Sequence, residues 1–309
     1  MVPQAVRPRA AVIVRVLGSA AGGGVPQWNC ACPNCAAARA GAAPRRSSSS
    51  FAVSATGDRW WLLNVSPDVA QQIEAFPPLM PRAGRGTPIA GMLLTDANVD
   101  HLGGFAVLRQ QGDHAFGVYS SATVRTIATA QEAFAAFTIA PHRWEAVSPG
   151  TTFRLEEGLD VRVVPVAGLT PGYAGRRALD DAVVAYAVID RPSGASVLFA
   201  PVFMDVTEPL LAAARQASVS FFDGSFWSDD ELSGVGVAKA ARSLGHAPIG
   251  GHDGSLVPLS TLPTGARRFL THLNNTNPLL DPRSDPAAQV QRAGLQVAFD
   301  GLELRVGGA

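Results

Sequence analysis

The sequence predicts an α/β fold of the α+β type, in which two β-sheets pack against each other and helices cover their outer faces. Apolar runs of strand length outnumber the helical patterns, and the two kinds of segment interleave along the chain. There is no tandem repeat. A chain of 309 residues is long enough for one large domain or two small ones, and we expect residues 1–309 to form one.

The composition is that of an ordinary globular chain. Hydrophobic residues make up 47% and charged residues 16%, and 25 basic residues balance 25 acidic ones. The balanced charge argues against nucleic acid or an anionic membrane surface as a partner. No apolar run reaches the length of a membrane-spanning helix, and residues 1–17 lack a convincing signal-peptide core. We expect a cytoplasmic protein.

In the first half of the chain, turn and capping residues mark the ends of the elements. Gly57 lies in the turn of a hairpin, and Ser66 with Pro67 begins a short helix. The predicted strands are residues 11–17, 51–55, 59–65, 92–94 and 116–119, and the predicted helices are residues 69–76, 105–111 and a segment that begins at Ser121.

The second half repeats the same signals. Thr207 caps an alanine-rich helix, Gly245 ends a helix over 234–244, and Asp300-Gly301 joins residues 295–299 and 302–306 as a pair of strands. Residues 168–181 form a flexible arm. The other predicted strands are 152–155, 160–166, 183–189, 196–200, 218–222 and 266–270, and a closing helix runs from Asp285 to Gly294.

A heptapeptide at residues 95–101, TDANVDH, is the main candidate for a site. It follows the apolar run 92–94, so Asp100 and His101 stand just beyond a buried strand, where two ligand types face one point. The alternative is a polar turn in which Asp100 caps a helix and His101 is merely exposed. Asp223 and His272 also follow apolar strands, and ligand sites in layered folds gather at strand ends.

The three cysteines of the chain, Cys30, Cys32 and Cys35, lie within six residues. A disulfide framework would spread them along the chain, so the cluster predicts metal ligation in a reducing compartment. Three thiolates need a fourth ligand from elsewhere to complete a structural zinc site. Three free buried thiols are the alternative.

Five segments, in order along nearly the whole chain, carry a family resemblance: residues 17–35 (LGSAAGGGVPQWNCACPNC), 64–68 (NVSPD), 96–101 (DANVDH), 223–227 (DGSFW) and 272–278 (HLNNTNP). They resemble the coenzyme PQQ synthesis protein B family, which has the metallo-β-lactamase fold. The resemblance implies a four-layer αββα sandwich with the active site along one edge of the two sheets.

The hydrolases of this fold use a His-x-His-x-Asp-His motif to bind metal at two sites. Compared with that motif, the resemblance implies that this chain lacks the ligands of one of the two metal sites. Asp96 and Asn98 replace the first two histidines, and the further histidine expected near Gly168 is absent. The other site keeps four predicted ligands, Asp100, His101, Asp223 and His272. Two imidazoles with a carboxylate suit mononuclear non-heme Fe²⁺.

The resemblance also assigns roles outside this ligand set. Asn275 stands where related phosphodiesterases have a zinc-binding histidine, so it is the candidate fourth ligand of the Cys loop, residues 30–35. His246 is predicted to be catalytic, as a proton shuttle or a hydrogen-bond partner, together with Asp96 and Asn98 in the altered site. In the arm, Tyr173, Arg176 and Arg177 either bind an anionic substrate or belong to a plain solvated loop.

These expectations lead to one function and two rivals. The first is an iron-dependent hydroxylase of pyrroloquinoline quinone (PQQ) biosynthesis, with O₂, a small amino-acid-like or short-peptide substrate of tyrosine origin, active-site Fe²⁺ and structural Zn²⁺. The rivals are a non-catalytic carrier or partner protein of the pathway and a metal-dependent, phosphodiesterase-like hydrolase. The oligomeric state is left open between a monomer and a homodimer.

Overall fold

The computed structural model describes residues 11–110, 112–139, 141–156 and 158–307. Their strands form two seven-stranded sheets. The strands of the first sheet are β1 (Val12–Gly18), β2 (Ser50–Ser54), β3 (Trp60–Leu63), β4 (Ile89–Leu93), β5 (Gly117–Ser120), β6 (Arg143–Ala146) and, near the end of the chain, β14 (Glu303–Val306). The strands of the second sheet are β7 (Thr152–Glu156), β8 (Leu159–Pro165), β9 (Val184–Asp190), β10 (Ser196–Ala200), β11 (Val219–Asp223), β12 (Arg267–Thr271) and β13 (Gln296–Val297).

The helices are short and connect the strands. They are α1 (Pro33–Arg39), α2 (Val69–Glu74), α3 (Val99–Leu102), α4 (Phe105–Leu108), α5 (Ala122–Thr129), α6 (Glu132–Ala135), α7 (Glu208–Gln216), α8 (Ala241–Leu244), α9 (Leu256–Ser260) and α10 (Asp285–Arg292). Single 3₁₀ turns lie at Pro77–Leu79, Ala136–Thr138, Gly172–Ala174, Glu231–Val235 and Pro278–Leu280.

Three buried apolar clusters define four layers. One lies between the sheets, where the ring of Phe51 lies 5.0 Å from that of Phe199 and 4.9 Å from that of Phe221. A second packs the first sheet against α2, α4 and α5, and a third packs the second sheet against α7 and α10. This is the αββα sandwich that the family resemblance implied, and that prediction is confirmed.

The strand directions and the packing of the sheets bring three polar strand ends to one edge. In the first sheet β3 to β6 are parallel, in the order β14-β1-β2-β3-β4-β5-β6. In the second, ordered β13-β12-β11-β10-β9-β8-β7, strands β10 to β13 are parallel. Parallel strands end at the same edge of their sheet, so β11 and β12 deliver their following residues together. The packing of the two sheets brings the end of β4 to the same place, where Asp100 Oδ2 lies 3.2 Å from His272 Nε2.

Most local predictions are confirmed within one to three residues. The hairpin through Gly57 forms between β2 and β3, and Ser121 caps α5 by accepting a hydrogen bond from the Val124 N–H at 3.0 Å. Gly245 ends α8 with φ +98°. The helix expected over 105–111 ends at Leu108, and residue 111 lies outside the described residues.

The predicted pairing of 295–299 with 302–306 is wrong. β13 adds to β12, and β14 adds to β1, so the turn at Asp300 carries the chain from one sheet to the other. The Asp300 carboxylate accepts hydrogen bonds from the Ser19 hydroxyl at 2.7 Å and the Ser47 N–H at 2.7 Å. These long-range bonds to another loop, and not the turn alone, fix the path.

The predicted helix over 234–244 is also wrong. The 3₁₀ turn Glu231–Val235 ends at Gly236, which has φ +76°, and α8 starts only at Ala241. A left-handed glycine ends a helical turn, so Gly236 interrupts the predicted helix near its beginning. Strand β6 and helices α1 and α9 were not predicted.

No helix in the described part of the chain is long and apolar enough to cross a membrane. The absence of a signal peptide was predicted partly from residues 1–10, which lie outside the described residues. The assignment of all 309 residues to one domain stays a prediction.

Candidate metal centre

The loop after β4 places the heptapeptide at the common edge of the sheets. The run 92–94 is fully buried, and the loop then folds back so that the Val65 N–H donates to the His101 carbonyl at 2.7 Å. A Cβ at Gly104 would lie 2.4 Å from the Ser66 carbonyl oxygen, so only glycine permits this close approach.

His101 is a predicted ligand that the fold encloses completely. Its side chain is fully buried, and Nδ1 lies 2.6 Å from Asp96 Oδ2. Nε2 has no hydrogen-bond partner among the described residues and lies 3.8 Å from Asp100 Oδ2. A buried nitrogen without a partner is costly, and a metal ion would satisfy it.

Asp96 and Asn98 lie behind His101. Asp96 Oδ2 also accepts from the Thr95 hydroxyl at 2.8 Å, and Oδ1 accepts from the Asn98 N–H at 2.9 Å and from its side-chain amide at 2.8 Å. Both carboxylate oxygens are therefore engaged within the loop. In this arrangement Asp96 fixes the orientation of the imidazole of His101.

His272 approaches from β12 and completes a group with Asp100 and His101. Its Nε2 lies 3.2 Å from Asp100 Oδ2, and its Nδ1 lies 2.8 Å from the Ser225 hydroxyl. One potential ligand atom of each of the three residues lies within 4.8 Å of the others. His272 has φ +59°, an unusual backbone conformation for a residue other than glycine, which often marks a functional site.

Asp223 and His246 form an overlapping group that shares His272. Asp223 Oδ2 lies 2.7 Å from His246 Nδ1, and its Oδ1 accepts from the Ser225 N–H at 2.9 Å and the Ser225 hydroxyl at 2.6 Å. The rings of His246 and His272 stack with centroids 5.3 Å apart. Asp223, a predicted metal ligand, thus holds His246 through one oxygen and Ser225 through the other.

The Cys loop brings its three sulfur atoms around one side chain. Asn275 Nδ2 lies 3.0 Å from Cys30 Sγ, 3.6 Å from Cys32 Sγ and 3.4 Å from Cys35 Sγ. Asn34 joins the loop to the same segment, since its amide donates to the carbonyls of Asn275 and Asn277, both at 3.0 Å. The structure therefore brings together all four residues predicted for the zinc site.

Sequence comparison places these features in a known family. A family model described as "Beta-lactamase superfamily domain" matches residues 59–272. The "Coenzyme PQQ synthesis protein B" of Ruegeria pomeroyi is 38% identical over 294 residues, which cover 94% of this chain and 98% of that protein. The chain belongs to the coenzyme PQQ synthesis protein B family. The protein of the same name from Cupriavidus necator is also 38% identical, with the same coverage.

Solved structures agree with this membership in the PQQ synthesis protein B family. The zinc-bound PqqB of Methylobacterium extorquens superposes with a TM-score of 0.88 at 36% identity, covering 94% of this chain and 99% of that one. A diphosphatase of the PhnP family gives a TM-score of 0.66 at 18% identity, a likeness that concerns the fold alone.

Opposed charges set the protonation of this family member's metal centre. Burial alone would raise the pKa of the Asp96, Asp100 and Asp223 carboxyls, but the neighbouring histidines hold all three below their usual range. Burial alone would lower the pKa of His101, and the Asp96 and Asp100 carboxylates raise it to about 9. The pKa of His246 is raised too, because Asp223 outweighs its burial.

In the Cys loop, the thiols are perturbed in opposite directions. Burial raises the pKa of the Cys35 thiol to about 11. Burial acts the same way on Cys32, but hydrogen bonds from the Cys35 N–H and the neighbouring side chains lower its pKa overall. A lowered pKa favours the thiolate, which is the form that binds metal.

The arm of this family member contacts loops on both sides of the centre. The Tyr173 hydroxyl donates to the Ala97 carbonyl, and the Arg176 guanidinium donates to the Ser243 carbonyl. Burial, followed by the Asp96 carboxylate, raises the pKa of Tyr173 to about 12. Arg177 is exposed, and its backbone N–H donates to the Thr170 hydroxyl. Tyr173 and Arg176 therefore act on the backbone of neighbouring loops.

Two polar residues of the centre were missed from the sequence. Ser225 links Asp223, His246 and His272, and Thr95 bonds to Asp96. Ser225 lies inside the segment 223–227, two residues after Asp223, and Thr95 directly precedes the segment 96–101, so their proximity to predicted site residues is the signal that points to them.

The raised pKa of His101 predicts how the metal-free protein responds to pH. Its ordinary value is 6.5, so the proton bound in the folded state stabilises the protein fully below pH 6.5, and that stability is lost as the pH rises through about 9. The midpoint of thermal unfolding should fall by about 5 °C across this window. Differential scanning fluorimetry measures it.

The control for this pH dependence is Asp96→Asn, which removes the carboxylate that lies 2.6 Å from His101 Nδ1. The pH dependence should become shallower in this variant and in metal-loaded protein, where metal replaces the proton. An equally steep decline in Asp96→Asn would contradict the assignment to His101.

Proposed function

We propose that this protein is an Fe²⁺-dependent hydroxylase that acts on a tyrosine-derived intermediate of PQQ biosynthesis. The observation that supports it is the convergence of two buried imidazoles and one carboxylate, those of His101, His272 and Asp100, with the His101 Nε2 left without a partner among the described residues. Two histidines and a carboxylate with open positions are the ligand set of non-heme iron oxygenases.

The state of Asp96 and Asn98 argues against the two-metal hydrolase. Their side chains bond to each other and to His101, and both oxygens of Asp96 are engaged. A second metal ion would need ligands at these positions. The donor set therefore favours one metal ion in the group that contains Asp100.

The remaining residues of the site either hold the histidine side chains in position or exchange protons with the substrate. Asp96 binds Nδ1 of His101, so Nε2 of His101 faces the centre. Ser225 binds Nδ1 of His272, so Nε2 of His272 also faces the centre. Asp223 holds Nδ1 of His246, which leaves Nε2 of that ring as the atom that exchanges a proton with the substrate phenol. Bound Fe²⁺ would supply the redox chemistry by which dioxygen reacts with the ring.

The hydroxylation requires two electrons from an external reductant. One oxygen atom of O₂ enters a ring C–H bond, and the other leaves as water with two protons and two electrons. Ascorbate supplies these electrons in an assay. The substrate is a small amino-acid-like molecule or short peptide that contains the phenol ring.

We also propose that Cys30, Cys32, Cys35 and Asn275 hold structural Zn²⁺. Three sulfur atoms within 3.6 Å of one amide nitrogen support it, and the amide oxygen takes the same place by rotation of the side chain. The related Methylobacterium extorquens protein was solved with zinc bound. Reduced thiols of this kind fit a cytoplasmic protein.

Reconstitution with Fe²⁺ under anaerobic conditions tests the function. On addition of O₂ and ascorbate, we expect oxygen consumption coupled to ring hydroxylation of a tyrosine-containing dipeptide, measured with an oxygen electrode and by mass spectrometry. Zinc in the same site should inhibit, because zinc has no redox chemistry.

Hydrolase substrates serve as the control for this experiment. A nitrophenyl phosphodiester and a lactam should show no metal-dependent turnover above background. Metal-dependent hydrolysis that is lost in His101→Ala would favour the hydrolase. Metal binding without either activity would favour the carrier protein.

A further inference from the structure

A cleft of about 320 Å³ lies beside the metal centre, between the Cys loop and residues 231–240. Gly22 lines it, and a Cβ at this position would lie 3.1 Å from Asp100 Oδ2. Phe226 lines it from the other sheet, and its ring lies 5.7 Å from that of His246. The cleft is therefore separated by single residues from the Asp100 carboxylate, through Gly22, and from the His246 ring, through Phe226.

One positive charge faces this cleft. Lys239 is the only lysine of the sequence and the only Lys, Arg, Asp or Glu among the described residues that line the cleft. Within the described chain its side chain makes no ion pair, unlike Arg59 or Arg215. An unpaired ammonium group in a cleft attracts an anion.

The nearest acidic residue in sequence does not neutralise Lys239. Both oxygens of the Glu231 carboxylate are engaged, one by the Thr276 hydroxyl and the other by the Trp227 N–H at 2.6 Å. These contacts also anchor the beginning of residues 231–240, and the Ala241 N–H anchors their end by donating to the Asp229 carbonyl at 2.9 Å. The segment is thus held over the cleft.

The wall of the cleft next to Lys239 is apolar and open. Val235 and Val237 are 38% and 39% exposed, although both line the cleft. Gly236 between them has φ +76° and ends the 3₁₀ turn Glu231–Val235. Phe226 and Leu244 continue the apolar wall inward. An aromatic ring laid against this wall would bury it.

We propose that this cleft binds the substrate, with Lys239 pairing with a carboxylate and the apolar wall covering the aromatic ring. The substrate class is a phenolic amino acid or short peptide with a free carboxylate. The volume is that of a small-molecule site, too small for a folded partner. This inference rests on the proposed function, because the lining residues Gly22 and Phe226 lie against Asp100 and His246 of the proposed active site.

The Cys loop contributes to the same cleft. Cys30, Asn29 and Asn275 also line it. The predicted zinc ligands therefore also shape the wall of the substrate cleft.

Direct binding tests this without turnover. Zinc-loaded, full-length protein is titrated calorimetrically with N-acetyltyrosine, which has a carboxylate, and with N-acetyltyrosinamide, which is neutral but otherwise matched. The wild type should bind the acid about 5- to 30-fold more tightly. Lys239→Met should lose this preference and bind the amide as before. Lys239→Arg should keep most of the preference, and Arg125→Met, on the surface of α5, should keep all of it.

The outcomes separate this inference from the proposed function. Equal affinity of the wild type for the two probes, or an unchanged preference in Lys239→Met, would overturn the carboxylate site, because Lys239 would then be only a solvated surface residue. Loss of the preference in Lys239→Met supports the site even where the iron-loaded protein fails to hydroxylate. Hydroxylation with an unchanged KM in Lys239→Met would support the function and overturn the site.

Discussion

Replacing His272 with alanine should reduce Fe²⁺-dependent hydroxylation to background while the protein stays folded. His272 is the residue shared by the two groups of potential ligands, and its Nε2 lies 3.2 Å from Asp100 Oδ2. Its loss leaves one imidazole, His101, in the Asp100 group, which is too few for the iron site. Asp100→Ala should have the same effect. Activity, iron content and circular dichroism are measured on the same preparations.

Two further variants serve as controls for His272→Ala, one with a partial effect expected and one with no effect expected. Ser225→Ala removes the hydrogen bond to Nδ1 of His272, 2.8 Å long, and should weaken metal binding by about 10- to 100-fold without abolishing it. His252→Ala changes a side chain that is 93% exposed and should behave as the wild type. Full activity in His272→Ala, or activity without iron, would refute the iron mechanism and leave the carrier protein as the better explanation.

Replacing Cys32 with serine should remove zinc and stability together. Cys32 immediately precedes α1, and its sulfur lies within 3.6 Å of Asn275 Nδ2. Metal that binds only the folded state stabilises it by about 2.7 kcal/mol at a hundred times its Kd. Its loss should lower the midpoint of thermal unfolding by about 5 °C or more. Elemental analysis and calorimetry measure the two effects, and about one equivalent of zinc is expected in the wild type.

Asn34→Ala is the matched control for the Cys loop. It removes two hydrogen bonds, each 3.0 Å long, between the loop and the segment of Asn275, but no predicted ligand. It should lower stability while zinc content stays near the wild-type value. If Cys32→Ser retains its zinc and its unfolding temperature, Cys30, Cys32 and Cys35 do not form a structural site.

The pattern of local signals is enough to predict most single elements of this chain. A glycine turn between alternating runs gives the hairpin β2-β3, and a serine before a helical pattern gives the cap of α5. Such signals depend on neighbours in sequence, so they can be read without the fold. The turn at Asp300 shows the limit of these local sequence signals. This turn was predicted to join two paired strands, but whether a strand pairs with its neighbour or with a distant edge is decided by the packing of whole sheets.

For the candidate site, too, some features can be predicted from the sequence and others depend on the tertiary structure. The residue types and their places after apolar strands identified Asp100, His101 and His272 as candidates from the sequence, because ligand sites in layered folds gather at strand ends. The strands that they follow belong to different sheets, so the packing of the sheets brings them together. The sequence also supplied the three cysteines, and the resemblance to a family supplied Asn275.

Only the tertiary structure decided what each polar atom contacts. It directs Asp96 to Nδ1 of His101 and Asp223 to Nδ1 of His246, and it leaves Lys239 facing a cleft. Hydrogen bonds depend on distances of a few tenths of an ångström between atoms far apart in sequence, and a residue pattern contains no such distances. The sequence therefore determined which chemical groups meet at the edge of the sheets, and the packing of the two sheets determined which of them hold the others in place.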